Sequence, residues 1–382
     1  MKRETCHTLA GLVSGRLNPH ALSPPELQEV IELAPSHGLG PMLLWAAEQA
    51  GIDTTDPLWA ALVASEQKNR LRYLLRTSSH AAVQAAFAAA DIPCIWLKGF
   101  ALAHTVYPRP TLRPMVDLDV LVPFDRRRAA LATANAVGYH ETEPEMFAGY
   151  HELLHHYDLY GHIEDLIKLE LHFRLLGPGE RLLPQAEHEW FWSQTQAVVY
   201  RDLRFTALNP EAHLLHLCAH AVLHHGETEF ILLRYLDLHL LVTSTETLDW
   251  PLVLEQAVHL RWTYAVERAL GYAQGYFATP LPEGLLDELR QRRPRGEAIA
   301  YATRQQPSNH WEDFLKNLRA LPRSERLRFA VRTFLPSAEY LRFSYRIDAD
   351  WKLPFYYVRR WLFFAKEAAR TLGRWLIGRG KE

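Results

Sequence analysis

Cysteine is scarce in this chain. Cys6, Cys94 and Cys218 lie far apart, and none has metal-ligand spacing. That excludes a disulfide framework and a cysteine-built zinc site, and it points to a reducing compartment. No apolar run reaches the length of a membrane span. The opening MKRETCHTLAGLVSGRL has basic residues but no continuous apolar stretch, so no signal peptide is expected and a cytoplasmic location is the default. Neither sign of charge prevails, with 42 Lys and Arg against 44 Asp and Glu. Overall charge therefore gives no argument for nucleic acid or an anionic membrane as partner. The glycine spacing of a Walker A loop is missing, and there is no internal repeat.

The chain's 382 residues suffice for two or three cores. Ser23-Pro24-Pro25-Glu26 predicts a helix start, with Ser as N-cap and Glu closing a capping box. Leu58 to Ala90 predicts a long helix, or two, burying Leu71, Leu74, Leu75, Ala82, Ala85 and Ala86. Cys94 to Leu97, Val116 to Val122 and Leu166 to Leu175 read as strands, and Ala197 to Leu208 as a strand pair. Arg126 to Val137 reads as a helix stopped by Gly138. Helical patterns follow at Glu211–His225, Phe230–Ser244, Trp250–Leu260 and Thr263–Phe277, and Arg290 to Gln306 reads as a polar, mobile connection or a helix end.

The chemistry concentrates in Val116-Asp117-Leu118-Asp119-Val120-Leu121-Val122. Side chains alternate along a strand, so Val116, Leu118 and Val120 share one face and Asp117 and Asp119 the other. Two carboxylates on a buried strand repel one another and are costly to desolvate. A divalent cation relieves both costs, and hard cations such as Mg²⁺ take oxygen ligands. The competing reading is a solvated acidic edge, which the apolar flanks oppose.

Just upstream, Ile95-Trp96-Leu97 runs into Lys98-Gly99-Phe100 and a helix. Helix N-termini offer free N–H groups to anions, and Gly lets a phosphate approach the backbone. Lys98 and Arg113 add charge, although each is also an ordinary surface side chain. Further on, Leu169, Leu171 and Phe173 form one strand face and Glu170, His172 and Arg174 the other. Placed beside the Asp-Leu-Asp strand, Glu170 would bring a third carboxylate, as metal ligand or proton acceptor.

Together these residues resemble the DNA polymerase β-like nucleotidyltransferase superfamily, and within it a poorly characterised bacterial family of nucleotidyltransferases, type five. The resemblance lies in Leu97-Lys98-Gly99-Phe100-Ala101-Leu102-Ala103 with Tyr107, in Arg113, Asp117, Asp119, Leu121 and Val122, and in Glu170 to Arg174. Pro210 to His220 and Leu233 to Leu238 resemble the family's helical segment. Many superfamily members have Gly or Ser where Phe100 stands, and Asp where Glu170 stands.

The resemblance implies an α+β fold: a nucleotidyltransferase-like mixed sheet with flanking helices, plus helical N-terminal and C-terminal regions. The expected divisions are 1–87 helical, 88–208 catalytic core, 209–300 helical and completing the acceptor cleft, and 301–382 helical with a basic aromatic tail. It further implies Mg²⁺ or Mn²⁺ on Asp117, Asp119 and Glu170, and a nucleoside triphosphate, ATP among them, as donor on Lys98, Gly99, Phe100 and Arg113. The acceptor, a small molecule, peptide or protein, would face His172, Arg174, His220 and Asp237. Two alternatives stay open: a catalytically weak nucleotide-binding module, and a phosphoryl transferase.

Two other features carry weaker expectations. His216 and His220 are an i, i+4 pair able to bind zinc, but the metalloprotease Glu is absent, so packing is preferred. His151, His155 and His156 read as a surface loop. From Trp351 onward the chain is basic and aromatic. A packed terminal helix with its charges outside is expected first, a peripheral membrane contact second. Nucleic acid is not favoured.

Overall fold

In a computed structural model of the chain, the described residues are 2–161, 167–177, 185–226, 230–305 and 309–379. Seven strands form one mixed sheet: β1 (Ile95–Trp96), β2 (Asp117–Leu121), β3 (His140–Glu141), β4 (His156–Tyr160), β5 (Lys168–His172), β6 (Thr195–Tyr200) and β7 (Leu203–Leu208). Their order is β3-β4-β5-β2-β1-β7-β6. β2 with β5 and β1 with β7 are parallel; the other pairs are antiparallel. The fold is α+β with helical regions at both ends, as the sequence predicts.

Alternation along the strands sorts side chains between two cores. Trp96, Leu118, Val120, Phe205 and Ala207 pack with Val83, Phe87, Phe100, Ala130 and Ala134 of three helices on one face. Ile95, Leu97, Leu121 and Leu208 turn to the other face. There they join a larger core drawn from helices that precede the sheet, Lys2–Val13 and Gly40–Gln49, and helices that follow it, Pro210–Ala219, Leu232–Ser244 and Thr263–Phe277. Asp117 and Asp119 share the Leu121 face, so they look toward this second helical layer.

Local signals hold where they are short-range. Glu26 accepts from both the backbone N–H and the hydroxyl of Ser23 at 2.9 and 2.6 Å, closing the expected capping box. Gly138 follows the helix Arg127–Ala136 at φ 93°, the left-handed geometry for which Gly is suited.

Several expectations are corrected. Ala60–Ala89 is a single helix, and its buried face is not the leucine–alanine face. Leu71 and Leu74 are exposed, whereas Glu66, Asn69, Arg76 and His80 are buried with Leu62, Val83 and Phe87. Asn69 and Arg76 are inside because the helix braces a loop: Asn69 donates to the Thr111 carbonyl and Arg76 to that of Val116, at 2.5 and 2.9 Å. Val116 itself is 78% exposed, because β2 starts one residue later. His156 opens strand β4 instead of lying in a surface loop, since it pairs with His172 across the ladder. Residues 285–305 are largely helical, with Leu285–Gln291 and Glu297–Gln305. Glu297 ties the second helix down by accepting from Thr263 Oγ1 and Tyr264 N at 3.0 and 2.7 Å. Leu166, and Lys381 and Glu382 of the tail, lie outside the described residues.

The terminal helix Leu353–Arg379 exposes Arg359, Lys366 and Arg370 and buries Phe364 as expected, but departs from the expectation elsewhere. Arg360 and Glu367 are buried beside Phe364, with Arg360 Nε donating to the Thr333 carbonyl at 2.8 Å. Trp351, Phe355 and Leu362 are exposed. No helix among the described residues is long and apolar enough to cross a membrane.

Candidate active site

The site begins with a sharp turn. After β1, Lys98 adopts φ 42°, a left-handed conformation that costs a non-glycine residue about 1–2 kcal/mol. The Lys98–Thr105 helix starts there. The Leu97 N–H donates to the Asp119 carbonyl at 2.9 Å, so the turn is stitched to β2. The Lys98 side chain runs the same way: its ammonium donates to Asp119 Oδ1 at 2.7 Å and lies 3.7 Å from Glu170 Oε2.

Register supplies the second acid. In the parallel β2–β5 ladder, Asp117 pairs with Lys168 and Asp119 with Glu170. The two carboxylates therefore stand side by side, as the sequence pattern requires if the strands are neighbours. His172 Nε2 reaches both, at 3.0 Å from Asp119 Oδ1 and 3.3 Å from Glu170 Oε2. Lys168 lies 2.7 Å from Glu170 Oε1 and 2.9 Å from Asp158, and Asp158 lies 3.0 Å from His156 Nε2.

The electrostatics follow from burial and neighbours. Burial pushes Asp117 up to about 7, helped by the negative charges of Asp119 and Glu170. Glu170 is held far below the usual carboxylate range: burial opposes this, and His172, Lys98 and His156 outweigh it. Lys98 is raised, because Asp119, Glu170 and Asp117 outweigh the burial that opposes them. His172 is raised too, its bonds to Asp119 and Glu170 overcoming burial and the Lys98 charge.

A cleft opens between the sheet and the helical layer. Lys98, Gly99, Arg113, Asp117, Asp119 and Glu170 line one wall; His220, His224, His225, Arg234 and Asp237 line the other. Of the sequence-derived residues, Phe100 and Arg174 do not line it. The Phe100 side chain is buried in the opposite core against His80, at 4.1 Å between ring centroids. Arg174 stacks over Phe124 at 4.2 Å and donates to the Leu154 carbonyl. His172 sits behind the acids and is almost fully buried.

Arg113 is committed to a partner. Its Nε and Nη2 donate to the two oxygens of Asp237 at 3.1 and 2.7 Å, and Tyr107 donates its hydroxyl to Asp237 at 2.7 Å. The same guanidinium lies against Gly99, where an added Cβ would strike it and would meet Met115 Cγ at 3.0 Å. Glycine is thus required by close approach.

This arrangement of a glycine turn, two acids on one strand and a third on its parallel neighbour agrees with the remaining observation. The chain belongs to a family of nucleotidyltransferases. The family model, described as an uncharacterised nucleotidyltransferase, matches residues 23–278. No curated protein and no solved structure matches the chain. The family match spans the whole sheet and both walls of the cleft, so general nucleotidyl transfer is the activity it supports.

The donor set of this family member fits a hard divalent cation. Three carboxylates converge on the cleft, and burial with the charges of Asp119 and Glu170 raises the pKa of Asp117, a cost that a bound cation would relieve. Asp119, Glu170 and His172 offer ligand atoms within 4.8 Å of one another, a set that does not include Asp117. Sequence reasoning missed Lys168, His156 and Asp158. The alternation of polar and apolar residues in His156-Tyr157-Asp158-Leu159-Tyr160 was the available signal for that strand.

Proposed function

We propose that this cleft transfers a nucleotidyl group from a nucleoside triphosphate to an acceptor, with Mg²⁺ or Mn²⁺ on Asp117, Asp119 and Glu170. The observation that carries the reading is the register that sets Asp119 against Glu170 beside the Lys98-Gly99 turn. The cation, when bound, neutralises phosphate charge and orients the α-phosphate for in-line displacement. The protein's own contribution is positioning. Backbone N–H groups after Lys98, with the Arg234 guanidinium across the cleft, attract phosphate oxygens. Arg113 acts through Gly99, holding the turn against Asp237. Glu170, kept ionised by its cationic neighbours, serves better as ligand than as proton acceptor.

The decisive experiment pairs calorimetry with Mg²⁺ and each of the four triphosphates with mass analysis of the acceptor after turnover. Asp117→Asn combined with Asp119→Asn should abolish metal-dependent turnover, and intact turnover would sink the reading. A product carrying only a phosphoryl group would replace it with the phosphoryl transferase.

A catalytically weak nucleotide-binding module is the second reading. One observation favours it: Lys98 already bridges Asp119 and Glu170 and offsets part of their charge. Triphosphate binding without turnover in a screen of acceptors would support it. Separately, the exposed Trp351, Phe355 and Leu362 among basic residues support contact with an anionic membrane surface. Vesicle co-sedimentation that survives deletion after Asp350 would remove that element.

A further inference from the structure

Behind the carboxylates lies a second cluster, built from imidazoles. His156 and His172 are direct partners in the antiparallel β4–β5 ladder, and their rings are 5.0 Å apart. His155 packs against both, at 4.1 and 5.6 Å between centroids. The three offer ligand atoms within 4.8 Å of one another.

The hydrogen bonding of this cluster is one-sided. His172 turns Nε2 to Asp119 and Glu170, and His156 turns Nε2 to Asp158. On both rings the opposite nitrogen, Nδ1, is buried and has no hydrogen-bond partner among the described residues. Buried ring nitrogens ordinarily find a partner, and each exception calls for one. An imidazole with one nitrogen on a carboxylate and the other open is the arrangement that histidine ligands adopt around transition metals, the carboxylate fixing ring orientation and raising basicity. Here two rings show it side by side.

We propose that His155, His156 and His172 form a site for a first-row transition-metal dication such as Zn²⁺, separate from the carboxylate site for the hard cation. Three imidazole ligands suit zinc and its neighbours better than Mg²⁺. His224, its ring 5.6 Å from that of His155, stands where it can supply a fourth ligand from the helical wall. The neighbouring Lys98 ammonium is compensated by Asp119 at 2.7 Å. The site would fix β4 to β5 and set the orientation of the Asp119–Glu170 pair. The proposal does not depend on nucleotidyl transfer being the reaction.

The test uses the full chain stripped with chelator and titrated with Co²⁺, read by visible absorption and by metal analysis. One equivalent should give the intense d–d bands of a low-coordinate nitrogen site, and Zn²⁺ should displace it while millimolar Mg²⁺ does not. His155→Gln with His156→Gln should weaken Co²⁺ binding by about 100-fold or more. Asp117→Asn should leave it unchanged, which separates this site from the carboxylate one. Absence of a stoichiometric Co²⁺ spectrum, or binding that survives the double substitution, overturns the proposal. If the double variant does not fold by circular dichroism, the unmodified chain decides: Zn²⁺ should protect His155 and His156 from diethyl pyrocarbonate in peptide mass analysis, and equal modification with and without Zn²⁺ refutes the site.

Discussion

Arg113 and Asp237, 124 positions apart in the chain, meet in a bidentate ion pair of 3.1 and 2.7 Å that joins the loop before β2 to the helical wall of the cleft. Both side chains are largely buried. Arg234 lies one helical turn from Asp237, but the Asp237 carboxylate turns inward to Arg113 and Tyr107. Removing one partner of a buried pair strands the other charge. Asp237→Ala should therefore cost about 3–5 kcal/mol in chemical denaturation. A loss below about 1 kcal/mol would show that the pair does not hold the cleft together.

Gly99 yields a prediction about binding. A methyl at this position would collide with a guanidinium that Asp237 prevents from retreating. Gly99→Ala should cost about 1–3 kcal/mol of stability through overpacking. It should also weaken triphosphate binding by at least about tenfold, an increment of 1.4 kcal/mol, in isothermal calorimetry. Unchanged affinity would mean that phosphates do not approach the turn.

Lys98 competes with any cation for Asp119 and Glu170. Without its ammonium those carboxylates repel. Lys98→Met should lower the melting temperature in chelator and make the chain more responsive to Mg²⁺, because a ligand that binds only the native state stabilises it in proportion to its affinity. Fluorimetric melting across a Mg²⁺ titration reads the effect directly. A variant no more responsive than the parent would count against metal binding at this pair.

His80 gives a pH dependence remote from the carboxylates. It is buried between Trp96 and Phe100, and neither ring nitrogen has a hydrogen-bond partner among the described residues. Burial pushes its pKa down to about 3, with the nearby His104 adding to the shift. The unfolded chain therefore binds more protons than the folded one between about pH 6.5 and pH 3. Stability is fully present above that window and falls as pH drops through it, by about 1.4 kcal/mol per pH unit from this residue. His80→Phe should remove that share of the acid slope while keeping the ring packing. Denaturation midpoints of the two proteins that stay parallel from pH 7 to pH 4 would contradict it.

The sequence by itself determined what is local. The capping box at Ser23 and Glu26, the stop at Gly138, and the facing of Asp117 and Asp119 on one side of a strand all follow from neighbours a few residues apart, where geometry is dictated by backbone period. The same is true of Lys98 and Gly99 at a strand-to-helix turn. Tertiary structure alone decided which distant elements meet. Strand order made Asp119 the neighbour of Glu170 and gave both a shared Lys98 and His172, since register depends on packing across the whole sheet. It placed Arg76 inside, because a loop carbonyl to satisfy lies against that face of the helix, and His80 inside against Trp96 and Phe100, while Leu71 stays outside. It also made His156 the first residue of a strand beside the carboxylates, with His155 packed against it, and the His156 and His172 rings, each with Nε2 on an acid and Nδ1 without a partner among the described residues, define the second cluster.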